Sequence, residues 1–136
     1  MKFVNFEGIQ KDIPTSELRV RSTSLDLHNE WDFIGYAYDL LSNRMTLRWR
    51  DARKPEWSCY FEFSDVHSVR IEARDSAYPW DHAQRLSTMI YQEPEGEIPF
   101  IKLWFEDQST IEVAADTLTL HCSAQEERVA SVSGTH

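Results

Sequence analysis

From Arg44 to Arg50 the chain alternates without a break. Met45, Leu47 and Trp49 fall on one side, and Arg44, Thr46, Arg48 and Arg50 on the other. A strand sends successive side chains to opposite faces. An apolar residue at every second position therefore predicts one buried face and one wet face. The pattern recurs at Trp57, Cys59, Phe61 and Phe63, and again at Val69, Ile71 and Ala73. Phe100–Phe105 and the set Ile111, Val113 and Ala115 read as two further strands, with Leu118 and Leu120 continuing the last. The aromatic segment 31–39 carries Trp31, Phe33, Ile34, Tyr36 and Tyr38. Leu40-Leu41-Ser42-Asn43 would turn it into 44–50 as a hairpin, since Asn tolerates the left-handed conformation that turns need. Leu18 to Leu25 is a sparser strand candidate.

Helical periodicity is thin. Pro79–Leu86 reads as one short helix with Pro79 in its first turn, or as a long loop. Gln92–Glu97 is a polar loop holding Pro94 and Gly96, and residues 123–136 are small and polar enough to predict a C-terminal tail. The expected architecture is a mainly β single domain over 1–122, of six to eight mostly antiparallel strands with one short helix. A chain of 136 residues buries about two thirds of its unfolded surface and needs no staples. Trp49, Phe61, Ile71, Leu103 and Ile111 are expected in the core.

Glycine sets the sharpest functional exclusion. The four glycines, Gly8, Gly35, Gly96 and Gly134, lie too far apart for a dinucleotide fingerprint, a phosphate-binding loop or a nucleophile elbow. No cofactor is expected. The histidines His28, His67, His82, His121 and His136 show no helical or His-x-His ligand spacing, so no metal is expected either. Cys59 and Cys122 form no Cys-x-x-Cys motif. Cys59 reads as a buried core thiol, and a disulfide between the two requires their strands to pair. Glu106-Asp107 reads as a turn rather than a catalytic dyad, because adjacent strand residues face opposite ways.

Charge narrows the partners. The net charge is −9, and it is uneven: residues 1–50 hold seven groups of each sign, residues 51–136 seven basic against sixteen acidic. Phosphate backbones repel such a chain, which disfavours nucleic acid, whereas a basic protein would be drawn to it. No apolar run approaches the roughly 18 residues of a membrane helix. The N-terminus lacks a secretory apolar stretch, so a cytoplasmic location is expected.

Three places could carry function. Glu93, Glu95 and Glu97 cluster on the polar loop. Arg44, Arg48 and Arg50 line the outer face of one strand, Arg70 and Arg74 that of another, and Tyr60 and Glu62 lie between them in sequence. Arg and Tyr together suit a protein interface, although a solvated face of Arg–Glu pairs would look the same. Trp80, Asp81 and His82 could instead line the pocket of a small enzyme or ligand-binding β domain.

One resemblance runs through roughly residues 27–121. Its marks are Leu27-His28, Trp31-Asp32-Phe33, Tyr38-Asp39, Asn43 and Met45-Thr46-Leu47, followed by Phe61-x-Phe63 and Asp65-Val66-His67-Ser68-Val69. Phe105-x-Asp107-x-Ser109-x-Ile111-Glu112-Val113 completes it. The order resembles that of small uncharacterised bacterial β-rich proteins, including immunity proteins of polymorphic toxin systems. The resemblance implies a non-enzymatic protein that binds another protein, such as a basic toxin domain, and neutralises it by covering it. It implies no catalytic residue. The Asp107-Gln108 turn lacks the glycine common in such hairpins, and the first 26 residues have no counterpart.

Overall fold

A computed structural model describes residues 1–74 and 84–123. Nine strands run through them: β1 (Lys2–Val4), β2 (Glu17–Val20), β3 (Thr23–Asp26), β4 (Trp31–Asp39), β5 (Arg44–Asp51), β6 (Ser58–Glu72), β7 (Leu86–Gln92), β8 (Phe100–Phe105) and β9 (Thr110–Cys122). Seven form one sheet in the order β4-β5-β6-β9-β8-β7, with β1 added parallel to β9; β2 and β3 make a separate hairpin. All other pairings between these strands are antiparallel.

The sheet curls until its two outer strands meet at one end. The Phe33 amide on β4 donates to the Gln84 carbonyl, just before β7, at 2.8 Å. Beside it, Arg85 Nε lies 3.2 Å from Asp32 Oδ1, and Arg85 Nη1 donates to the Asn29 carbonyl at 2.6 Å. The concave side then holds one core. Met45, Leu47 and Trp49 from β5 meet Phe61 and Phe63 from β6, Ile101 and Leu103 from β8, and Leu118 from β9. Leu18, Leu25 and Leu27, from the β2–β3 hairpin and the residue after it, join the same cluster. Segment 11–15 lies against β7, where Thr15 and Met89 exchange two backbone bonds of 2.9 Å.

Turns and bulges place residues other than glycine at positive φ. Asn43 (φ 54°) closes the β4–β5 hairpin as its type predicts, and Gln108 (φ 74°) closes β8–β9. Asp65 (φ 53°) precedes the bulge at Val66/Ser68. The runs around Phe63 and Val69, separate in the sequence pattern, therefore belong to one long strand bent at Asp65. Residues 110–122 likewise form a single strand.

Of the five expected core residues, Trp49, Phe61, Leu103 and Ile111 are buried, but Ile71 is 41% exposed. The reason is overhang. β5 pairs β6 only from Ser58 to Ser64, so the part of β6 carrying Ile71 has β9 alone beside it. The segment read as helix or loop falls mostly outside the described residues; its last residue, Leu86, opens β7. Residues 124–136 of the expected tail are also outside them.

Candidate interaction surface

β5 and β6 are neighbours, so the outer sheet face does gather arginine and tyrosine. Arg48 stands opposite Tyr60, and Tyr60 opposite His121. The Arg48 guanidinium carbon lies 5.1 Å from the Tyr60 ring centre. Tyr60 and His121 stack at 4.5 Å with planes 14° apart. Glu62 is 3.7 Å from Arg44 and also 3.7 Å from His121. Arg50 faces Asp32, which Arg85 already engages. Arg70 lies beyond the bulge, 4.0 Å from Glu112, and Arg74 lies past the end of β6. The five arginines are thus split into two places. Those of the first have aromatic and acidic neighbours, and such exposed pairs contribute little to stability.

The acidic loop joins β7 to β8. A turn closes it, with the Glu97 amide 3.2 Å from the Pro94 carbonyl and Gly96 at φ 75°. Glu93, Glu95 and Glu97 are all exposed. Glu93 differs, because its carboxylate accepts from the Tyr91 hydroxyl at 2.6 Å, and that hydroxyl accepts from the Met1 ammonium at 3.1 Å. Burial, together with Glu93, pushes the Tyr91 phenol well above its ordinary range. Glu93 therefore anchors the N-terminus.

The described histidines are dispersed. His28 Nδ1 lies 2.7 Å from the Leu86 carbonyl, His67 Nε2 2.7 Å from Asp116, and His121 stacks on Tyr60. Among the described residues no group of three His, Cys, Asp or Glu side chains gathers to hold a metal ion. Trp80, Asp81 and His82 lie outside the described residues. Asp107, read as a turn residue, does serve the turn. Its Oδ1 accepts from the Ser109 amide at 2.9 Å and the Ser109 hydroxyl at 2.5 Å. Burial alone would raise its carboxyl, but these bonds outweigh it and hold the pKa below the usual carboxylate value.

Among the described residues, a further group of exposed large apolar side chains lies on β4 and its turn. Tyr36 is 50% exposed, Tyr38 44%, Leu40 81% and Leu41 99%. Tyr36 is paired with Leu47 and Tyr38 with Met45, so both tyrosines stand on the core side of the sheet. β4 is the last strand in the order, and among the described residues no strand lies beyond it to cover them. The bulge between Phe33 and Gly35 (φ 144°) interrupts the edge at one end, and Asp39 charges the other. Between them, among the described residues, no backbone pairs with the far side of β4. The sequence did carry one sign of this surface: Leu40-Leu41 puts two large apolar side chains into a turn, where polar residues are usual. Comparison with known proteins finds no matching family, no matching curated protein and no matching solved structure.

Proposed function

We propose that this chain is a non-enzymatic partner-binding protein, and that its partner docks on the β4 edge and the Leu40–Leu41 tip. The observation that carries the reading is the exposure of four large apolar or aromatic side chains along an edge whose backbone has no partner strand among the described residues. An open edge offers unpaired amides and carbonyls to an incoming strand. Apolar side chains beside it add the contact area from which interface affinity is built. Tyrosine suits this role, since its ring is apolar and its hydroxyl wet. The Tyr38 hydroxyl is held by Asn43 at 2.6 Å, so that ring is already ordered before binding.

The specific form of this reading is neutralisation, in which the chain covers the working surface of a toxin domain, as in immunity proteins. The net charge of −9 favours a basic partner at long range. Site-specific photo-crosslinking tests the surface. A photoreactive residue at position 36 or 41 should capture one protein in its host cell, while the same residue at Glu56, on the opposite turn, should not. With that protein purified, Leu40→Asp with Leu41→Asp should weaken binding at least ~tenfold, the scale of losing one interface anchor. Unchanged affinity would remove this surface from the interface.

A further inference from the structure

Cys59 on β6 and Cys122 at the end of β9 stand directly opposite one another in the antiparallel ladder. Opposed residues share a face, with Cβ atoms about 4.5–5.5 Å apart. A disulfide wants Cβ atoms about 3.5–4.5 Å apart and Cα atoms about 4.4–6.8 Å apart. Bridging this pair therefore asks for a small local approach rather than a rearrangement. Both side chains are buried in the core, in line with Trp49, which faces Cys59 from β5.

The two sulfurs differ in access. Cys122 lines an open cavity of about 430 Å³, and Cys59 does not. Phe6, Val20 and Leu120 form apolar wall; Arg19 and Arg21 also line the cavity, and so does Glu7, whose carboxylate lies 3.5 Å from Arg19. Two arginines against one glutamate leave this lining with a net positive charge of one, so a small anionic reagent can enter there and meets Cys122 first. Burial, followed by the proximity of Cys122 and Asp51, pushes the Cys59 thiol well above its ordinary value, which suits it poorly as the first nucleophile.

We propose that Cys59 and Cys122 are a redox-convertible cross-strand pair, entered at Cys122 by a small anionic disulfide of the glutathione type. In the first step Cys122 gives up its proton and its sulfur attacks one sulfur of the reagent. The reagent's S–S bond breaks, and one thiolate leaves and takes up a proton. In the second step Cys59 gives up its proton and attacks the Cys122 sulfur of the mixed disulfide, releasing the second thiol. Two protein thiols are oxidised and one small disulfide is reduced to two thiols. The product ties β6 to β9 beneath the Tyr60–His121 stack on the other face. This proposal does not depend on the partner surface of β4.

The test uses the folded full-length chain and oxidised glutathione at mildly alkaline pH. Intact mass should fall by two hydrogens, peptide mapping should recover the Cys59–Cys122 link, and the thermal midpoint should rise. Dithiothreitol should reverse all three. Cys59→Ala should accumulate one glutathione adduct, on Cys122, whereas Cys122→Ala should leave Cys59 unmodified. Acid-quenched wild-type protein gives the same order without any variant, as a transient adduct mapped to Cys122. No link in folded protein, under conditions that fully oxidise the urea-unfolded chain, would overturn the pair. An adduct reaching Cys59 as fast as Cys122 would overturn the route.

Discussion

The amide of Phe33 donates to the carbonyl of Gln84, and this one bond of 2.8 Å joins the two ends of the strand order. Around it the seam is built from side chains. The Phe33 ring lies 4.5 Å from that of Phe105 and 5.1 Å from that of Trp49. Arg85 bridges Asp32 and the Asn29 carbonyl. The curl thus closes where β4 starts and stays open where β4 ends, which leaves Tyr36 and Tyr38 uncovered.

Removing Arg85 should loosen that seam. Its side chain is 32% exposed, and its charge serves two acceptors. Hydrogen bonds to charged groups contribute about 1.5–3 kcal/mol when sheltered, and partial exposure lowers this, so Arg85→Ala should cost about 1–2 kcal/mol. Urea unfolding measures the loss, and hydrogen exchange at the Phe33 amide should accelerate more than exchange at Phe61. Equal acceleration at both would mean that the closure is not a separate element.

Burial should separate two residues of the same strand. Phe61 is fully buried and touches the rings of Phe6, Trp49 and Phe63, so Phe61→Ala should cost about 3–5 kcal/mol. Ile71, on the overhang of β6, should lose about 1 kcal/mol or less as Ile71→Ala. Comparable losses at the two positions in urea unfolding would mean that Ile71 is covered in solution.

The β8–β9 turn places Gln108 at φ 74°, where a Cβ is strained and glycine is not. Among the described residues the Gln108 side chain makes only a long bond of 3.4 Å, to the Glu106 carbonyl. Gln108→Gly should therefore stabilise the fold by about 0.5–1 kcal/mol, because relief of strain exceeds the entropy glycine adds to the unfolded chain. A higher urea midpoint with an unchanged slope is the expected result, and a lower midpoint would contradict it.

Asp107 should make the fold acid-sensitive. Its carboxyl titrates below the usual value of 3.8 because the Ser109 amide and hydroxyl favour the ionised form over the opposing effect of burial. A depressed folded-state pKa contributes stability that is fully present above the unfolded pKa and is lost as pH falls through the folded one. Wild type should exceed Asp107→Asn in stability near neutral pH, and the gap should shrink steadily below about pH 4. Urea midpoints across that range decide it; a gap independent of pH would assign the effect to packing.

How much of this was legible in the sequence depended on period and on length. β5, β8 and the first half of β6 follow period two closely, and inward residues such as Trp49, Phe61 and Leu103 could be named in advance, whereas beyond the β6 bulge the same reading failed at Ile71. β7 could not be read this way, because its bulge between Leu86 and Thr88 spaces the buried residues Leu86, Met89 and Tyr91 by three and then two. β1 is only three residues long and shows no period at all. The Arg48–Tyr60 neighbourhood was legible only as a condition, that the two strands be neighbours, which β5 and β6 meet. The open edge did not follow, because being an edge is a property of strand order. Nothing within 31–39 says that β4 is outermost. Only Leu40-Leu41, apolar where a turn is wet, hinted at it.

The acidic loop remains a candidate steering element, and the structure changes how it must be tested. Reversing Glu93 would put a cation against the Tyr91 hydroxyl and the Met1 ammonium, which confuses charge with folding. Glu95 and Glu97 are exposed and carry no such duty, so Glu95→Lys with Glu97→Lys isolates the charge. The pair shifts net charge by four units, from −9 to −5. Stability should stay within about 0.5 kcal/mol, as for most surface changes. Association with a basic partner captured at β4 should slow, and the slowing should be larger at low salt, because the reach of surface charge shrinks from about 30 Å at 0.01 M to about 8 Å at 0.15 M. Dissociation should hardly change if the loop steers without touching. Stopped-flow association at the two salt concentrations gives both rates. Equal association for wild type and variant at low salt would remove the loop from recognition and leave the β4 edge to act alone. A faster variant would point to an acidic partner, one matched to the Arg44, Arg48 and Arg50 face that borders the same edge.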